Sequence, residues 1–275
     1  DPRRNLYFVN HLNPDEWEYF VPRIIDQYQI DEDTIFPNVN AGREIALYLG
    51  LRLTNQGTIA VFCGRKLDVT GICKFINDIF EKGLPMQPPL ETSNKVEIQK
   101  LKFLHDGNLG EDAIMSKSAG LGVFAHHNNV PHGIRLAIEY AIKKEDAKFV
   151  ICTSTLAQGV NLPIRYLIVN SVNQGSERIL IRDFQNLIGR SGRSGMHTEG
   201  SILFADSRIY DERNRNDFAR ERWQTVKELL DPSKSEKCES KLYSIFNPLY
   251  GTTPESPYNN IVNFVQAYTA GTLSD

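Results

Sequence analysis

Apolar and polar positions follow two different periods along this chain, and each change of period marks an element. Five short runs of mostly consecutive apolar residues, at 58–63, 122–125, 148–152, 166–170 and 201–205, lie between polar stretches. Such runs predict strands buried on both faces. Between them the spacing turns helical. Val69, Ile72, Cys73, Ile76, Ile79 and Phe80 recur at helical intervals, predicting an amphipathic helix from Asp68 to a stop at Gly83. Ile134, Ala137, Ile138, Ala141 and Ile142 share the face of a second helix, and residues 40–53 form another, capped by Asn40. A short helix with Asp183 as N-cap sets Phe184, Leu187 and Ile188 on one side. Strands alternating with helices or long connections predict an α/β fold: a parallel sheet flanked by helices.

The two ends read differently. Residues 1–39 are broken by Pro22 and Pro37 and are expected to form an N-terminal segment or linker. It holds a short strand at 6–9 and a helix start at Asn13-Pro14. Residues 40–206 carry the alternating pattern, with 84–118 expected to be an insertion around a helical piece at 95–105. Residues 207–275 predict a mostly helical extension, the start of an accessory domain. One long helix over 211–230 sets Ala219, Trp223, Val226 and Leu230 on one face, and a last helix covers 258–268.

Composition narrows the class. Hydrophobic residues at 41% and charged residues at 24% describe a soluble globular protein. No apolar run approaches the ~20 residues that cross a bilayer, so no membrane partner and a cytoplasmic location are expected. A start on Asp1-Pro2, without Met, is expected of a piece cut from a longer chain. The net charge of -3 excludes a general polyanion coat, so any phosphate contact must be local. Cys63, Cys73, Cys152 and Cys238 are scattered without a Cys-x-x-Cys pair, which offers no zinc site, and Cys63 and Cys152 sit inside apolar runs, which predicts buried free thiols and fits a reducing cytoplasm.

In a parallel α/β sheet, ligands bind at the carboxyl ends of the strands. Three chemically suggestive stretches fall there. Cys63-Gly64-Arg65-Lys66 follows the first strand, His126-His127-Asn128 the second, and Thr153-Ser154-Thr155 the third. Hydroxyls at the junction of a strand and a helix suit phosphate oxygens, although Ser154 or Thr155 also serves as an ordinary cap. Adjacent His126 and His127 point to opposite sides of an extended stretch, so at most one faces the groove and the other is core or hydrogen-bonded. Gln185-Asn186-Leu187-Ile188-Gly189-Arg190-Ser191-Gly192-Arg193 places two arginines three residues apart, each directly after a glycine. A polyanion can approach such a face closely. Taken alone, the stretch equally fits a glycine-rich helix end with two solvated arginines.

Taken together these segments resemble superfamily 2 helicases. Thr153 to Pro163 looks like motif V in the form used by the superkiller-like DExH branch, and Gln185 to Arg193 matches motif VI, Q-x-x-G-R-x-G-R. Residues 59–66 resemble motif IV, and residues 122–129 that branch's G-x-x-x-H-H segment. The resemblance covers roughly 57–206, the second RecA-like lobe. It implies that Arg190 and Arg193 are arginine fingers on the γ-phosphate of ATP, with Gln185 beside them. It also implies that Gly159, Asn161 and Gly189 lie toward the nucleotide. Arg65, Thr153, Ser154 and His127 would lie along a single nucleic-acid strand, DNA slightly favoured over RNA. Neither G-x-x-x-x-G-K-[ST] nor a D-E-x-H box occurs in this sequence. ATP and Mg2+ would therefore be held mainly by a first RecA-like lobe of the parent chain, and this part alone would be inactive as an ATPase. The family's H-H-A-G-L becomes His126-His127-Asn128-Asn129-Val130 here. A lobe retained as a non-catalytic binding scaffold is the alternative reading.

Overall fold

The structure, a computed structural model, describes residues 2–9, 17–157, 162–174, 177–189, 200–216, 218, 220–236 and 260–271. It divides into two compact units, Asp1–Ser235 and Glu236–Asp275.

Ahead of the first long helix, aromatic and β-branched residues pair as short strands. β1 (Leu6–Val9) runs antiparallel to β2 (Trp17–Val21), and β3 (Tyr28–Gln29) to β4 (Ile35–Phe36). The strand at 6–9 is as expected. The helix start at Asn13-Pro14 lies outside the described residues, and the run after it is a strand, as its aromatic and β-branched content favours.

The alternating region follows as α1 (Gly42–Leu53), β5 (Ile59–Phe62), α2 (Lys66–Glu81), α3 (Lys95–Leu109), α4 (Ile114–Gly120), β6 (Val123–His126), α5 (His132–Lys143), β7 (Phe149–Cys152) and β8 (Tyr166–Val169). A small ribbon, β9 (Asn173–Gln174) with β10 (Glu177–Arg178), leads into α6 (Ile181–Ile188) and β11 (Ser201–Phe204). The five apolar runs form one sheet in the order β11-β8-β5-β7-β6, and each pairing is parallel. β5, β6 and β7 are buried at every position, which is why their sequences lack alternation. Helices flank the sheet: α1 packs on β5 and β8, α2 on β6 and β7, and α5 on β6. Contact with the sheet is close enough that a Cβ on Gly50 of α1 would come within 2.6 Å of the Phe149 ring.

The predicted stripes are the buried ones. Val69, Ile72, Cys73, Ile76 and Ile79 of α2, and Ile134, Ile138, Ala141 and Ile142 of α5, face the core. Gly83 ends α2 region at φ 86°, a conformation glycine adopts without strain. Two caps differ from expectation. Ala41, not Asn40, is the N-cap of α1, and Asn40 instead accepts from Arg3 Nη1 at 2.6 Å. Leu180, not Asp183, precedes α6, and Asp183 falls inside the first turn, where a carboxylate complements the helix dipole.

Among the described residues the extension is mostly helical, but the single helix expected over 211–230 is replaced by α7 (Arg208–Asp211) and α8 (Arg220–Leu230). The break lets Ile209 of α7 and Trp223 and Val226 of α8 meet in one small apolar cluster beside Phe204. One continuous rod would hold them apart. Leu229 is fully buried and Leu230 only partly, while Ala219 lies outside the described residues. In the second unit α9 (Ile261–Thr269) is capped by Asn260, whose side chain accepts from the Asn263 amide at 3.0 Å.

Candidate nucleotide and nucleic-acid interface

Register brings the candidate loops together. Phe62, Cys152 and His126 are aligned across the carboxyl ends of β5, β7 and β6. The Cys63 amide donates to the Cys152 carbonyl at 2.7 Å, and the Thr153 amide to the His126 carbonyl at 3.2 Å. Arg65, His127 and Thr153 therefore leave neighbouring strands on one rim. The thiols beneath, Cys63 and Cys152, are fully buried as expected, with ionisation opposed by desolvation. Cys238 lies outside the described residues.

Arg65 sits at the entrance to α2, exposed, with its fork closed on Asp68: Nε to Oδ2 at 3.1 Å and Nη2 to Oδ1 at 3.0 Å. This bidentate pair holds the guanidinium at the helix start and raises its pKa further. Thr153 and Thr155 join their hydroxyl oxygens at 3.3 Å, and Ser154 opens a short 3-10 turn, Ser154–Ala157. α6 packs against that turn, so the two most specific motifs touch.

Both histidines are buried, exposing 1% and 3% of their surface. His126 places Nε2 at 2.7 Å from Glu139 Oε1 and Nδ1 at 3.2 Å from Thr155 Oγ1. A carboxylate only accepts, so Nε2 carries the proton and Nδ1 receives the threonine hydroxyl. His126 thereby ties α5 to the hydroxyl turn, the hydrogen-bonded role expected of one of the pair. Burial pushes its pKa down against the pull of Glu139. His127 Nδ1 accepts from the Asn129 amide at 3.2 Å, and its Nε2 is buried without a partner among the described residues. Burial, with His126, Lys66 and Arg135 nearby, also lowers its pKa.

Gln185 lies on the partly exposed side of α6, and its Nε2 donates to the Leu229 carbonyl at 2.6 Å. Gly189 is the C-cap, its amide donating to the Gln185 carbonyl at 2.9 Å. Arg190, Arg193, Gly159 and Asn161 lie outside the described residues. Sequence reasoning missed Glu139 and Thr155 as partners of His126, and Leu229 as the partner of Gln185. Glu139 stands thirteen residues from His126 and Leu229 forty-four from Gln185, so no local pattern joins them. Among the described residues no three His, Cys, Asp or Glu side chains gather to hold a metal ion. No helix among them is long and apolar enough to cross a membrane.

A five-stranded parallel sheet flanked by helices, with a hydroxyl turn and a basic helix start at its carboxyl rim, has the architecture of a RecA-like lobe. Residues 92–195 match the family described as helicase conserved C-terminal domain. That match and the relatives below support the C-terminal lobe of a superfamily 2 helicase. It is 28% identical over 202 residues to the Hachiman protein HamB of Bacillus cereus, across 72% of this chain and 17% of that one. It is 32% identical over 148 residues to the human Helicase POLQ-like protein, covering 52% of this chain and 13% of the relative. With the ATP-dependent DNA helicase Hel308 of Methanocella arvoryzae the identity is 30% over 131 residues, 45% of this chain and 17% of the relative. The matches thus span less than one fifth of each of these relatives. Among solved structures, the DUF1998 helicase MrfA bound to DNA and AMPPNP aligns with a TM-score of 0.42 and 16% identity. That alignment covers 69% of this chain and 21% of the other.

Proposed function

We propose that this chain acts as the second RecA-like lobe of an ATP-dependent DNA translocase or helicase. Residues 40–206 form the lobe, 84–118 an insertion within it, 1–39 a lead-in and 207–275 the opening of an accessory domain. The observation that carries the reading is the joining of the loops after β5, β6 and β7 on one rim, with α6 packed against the hydroxyl turn. The helicase domain match, residues 92–195, spans the His126-His127, Thr153 and Gln185 to Arg193 segments. The name of the Methanocella relative supports ATP as fuel and DNA as track.

In this reading the first lobe holds Mg2+ and most of the nucleotide. Bound ATP supplies the phosphoryl group, and the chain's own residues position and neutralise. Arg190 and Arg193 stabilise charge as the terminal phosphate leaves, and Gln185 orients its surroundings. Gly159, Asn161 and Gly189 let the backbone approach the nucleotide. Arg65, Thr153 and Ser154 contact a strand's phosphates, which positions the strand without reading its sequence. His127 braces the loop after β6 along the same groove.

ATP turnover by the intact protein containing this chain, with and without single-stranded DNA or RNA, tests the reading. DNA should stimulate turnover, and Arg193→Ala should lower kcat by about 10³- to 10⁵-fold while nucleotide still binds. Wild-type protein that hydrolyses no ATP on either nucleic acid would leave a binding scaffold instead.

A further inference from the structure

The helix carrying Gln185 is held from outside the sheet as well as from beneath. α6 is only two turns long, too short to be stable by its own hydrogen bonds. Phe184 and Leu187 fasten its inner side to the core. Its outer side meets the last turn of α8, where the final carbonyls of a helix have no intrahelical partner. One of these, the Leu229 carbonyl, receives Gln185 Nε2 at 2.6 Å. A carbonyl can only accept, so this bond turns the amide nitrogen of Gln185 toward α8.

A second tie lies beside it. Arg178, in β10 and three residues ahead of α6, places Nη1 at 2.6 Å from Glu228 Oε2 on α8. The other Glu228 oxygen faces Gln224 Nε2 at 3.5 Å and Lys234 Nζ at 3.7 Å. The pairing with Arg178 is the main reason the Glu228 carboxyl ionises more readily than usual. The pairing of the ribbon extends one rung further toward α6, the Ile179 amide donating to the Val172 carbonyl at 2.9 Å. The two ties grip both the entrance of α6 and its middle.

We infer that the last turn of α8 is a positioning latch for α6, with Arg178 and Glu228 as positioning residues for ATP hydrolysis. The inference rests on the reading of the chain as a lobe of an ATP-driven motor. The latch couples the helical extension to α6, so movement of α8 shifts Gln185. Misplacing a reacting group by about 1 Å can cost about 10²-fold in rate, so a modest loosening is enough to matter.

The test uses the intact protein with Arg178→Glu, Glu228→Arg and the double exchange. Each single reversal should lower kcat for ATP by about tenfold, within that bound, with the KM for ATP changed less than about twofold. Each should also speed hydrogen exchange of the amides at 181–188. The double exchange restores the ion pair in reverse and should recover both. A helix merely stabilised by a surface pair would not give a kcat loss at unchanged KM that the exchange rescues. Unchanged amide exchange in the single variants overturns the latch. Faster exchange with wild-type kcat, or a double variant that stays slow, overturns the positioning role. Absence of ATP turnover in the wild type sinks the motor reading and this role with it, while amide exchange still decides whether the latch exists.

Discussion

His105 illustrates how a polar side chain is accommodated in the core of this lobe. It is fully buried on α3 beside Phe124, with Nδ1 at 2.7 Å from the Leu101 carbonyl and no partner for Nε2 among the described residues. A carbonyl accepts, so Nδ1 holds a proton. Burial lowers its pKa below the ordinary 6.5, only partly offset by the Leu101 bond and the charge of Asp106. The unfolded chain therefore takes up a proton below about pH 6.5 that the folded one refuses, and stability falls as pH drops from there. His126 and His127 shift the same way and add to the trend. In thermal melts between pH 7.5 and 5.5, His105→Leu should lose less Tm than wild type, about 2–4 °C for each kcal/mol relieved. Equal losses would mean that this ring titrates freely in the folded state.

Among the elements, α1 and α6 show opposite ways of holding a helix. α1 is buried along nearly its whole length, and Gly50 lets it settle on the ring of Phe149 and on Ile59. Gly50→Val should therefore cost about 1–3 kcal/mol through overpacking, read as a shift in the urea midpoint at constant slope. No shift would mean that the helix can slide away from β7 freely. α6 depends instead on a few anchors, Phe184 stacked near Phe204 within the core and the Leu229 carbonyl at its rim.

For the molecule as a whole, the charge balance of -3 requires that, in the proposed reading, a strand be held by a few cations rather than by a broad basic face. Arg65 is the cation proposed here, and its pair with Asp68 ties the guanidinium to the start of α2. In the intact protein, single-strand binding should weaken with salt on a shallow log–log line, and Arg65→Ala should lower the slope by about one. An unchanged slope would remove Arg65 from the strand path.

Much of this was legible without coordinates. The five apolar runs were legible as strands of one sheet, although β11, at its edge, is only partly buried, and the stripes at 69–80 and 134–142 were core because helical spacing puts such residues on one face. The same logic placed Arg65, His127 and Thr153 on one rim, since consecutive parallel strands present the same end. Local pattern was weaker at the helix starts, where Ala41 and Leu180 displaced Asn40 and Asp183 because packing set the entry of each helix. It also joined α7 and α8 into one rod, having no means of knowing that Ile209 must meet Trp223. The partners of the site residues were beyond it altogether. His126 finds Glu139 and Thr155, and Gln185 finds Leu229, across distances in sequence that only the folded sheet closes. Periodicity is a property of neighbours along the chain, so it determined the elements, their order and the rim. Hydrogen bonds and ion pairs join whatever the packing brings within reach, and those the tertiary structure alone decided.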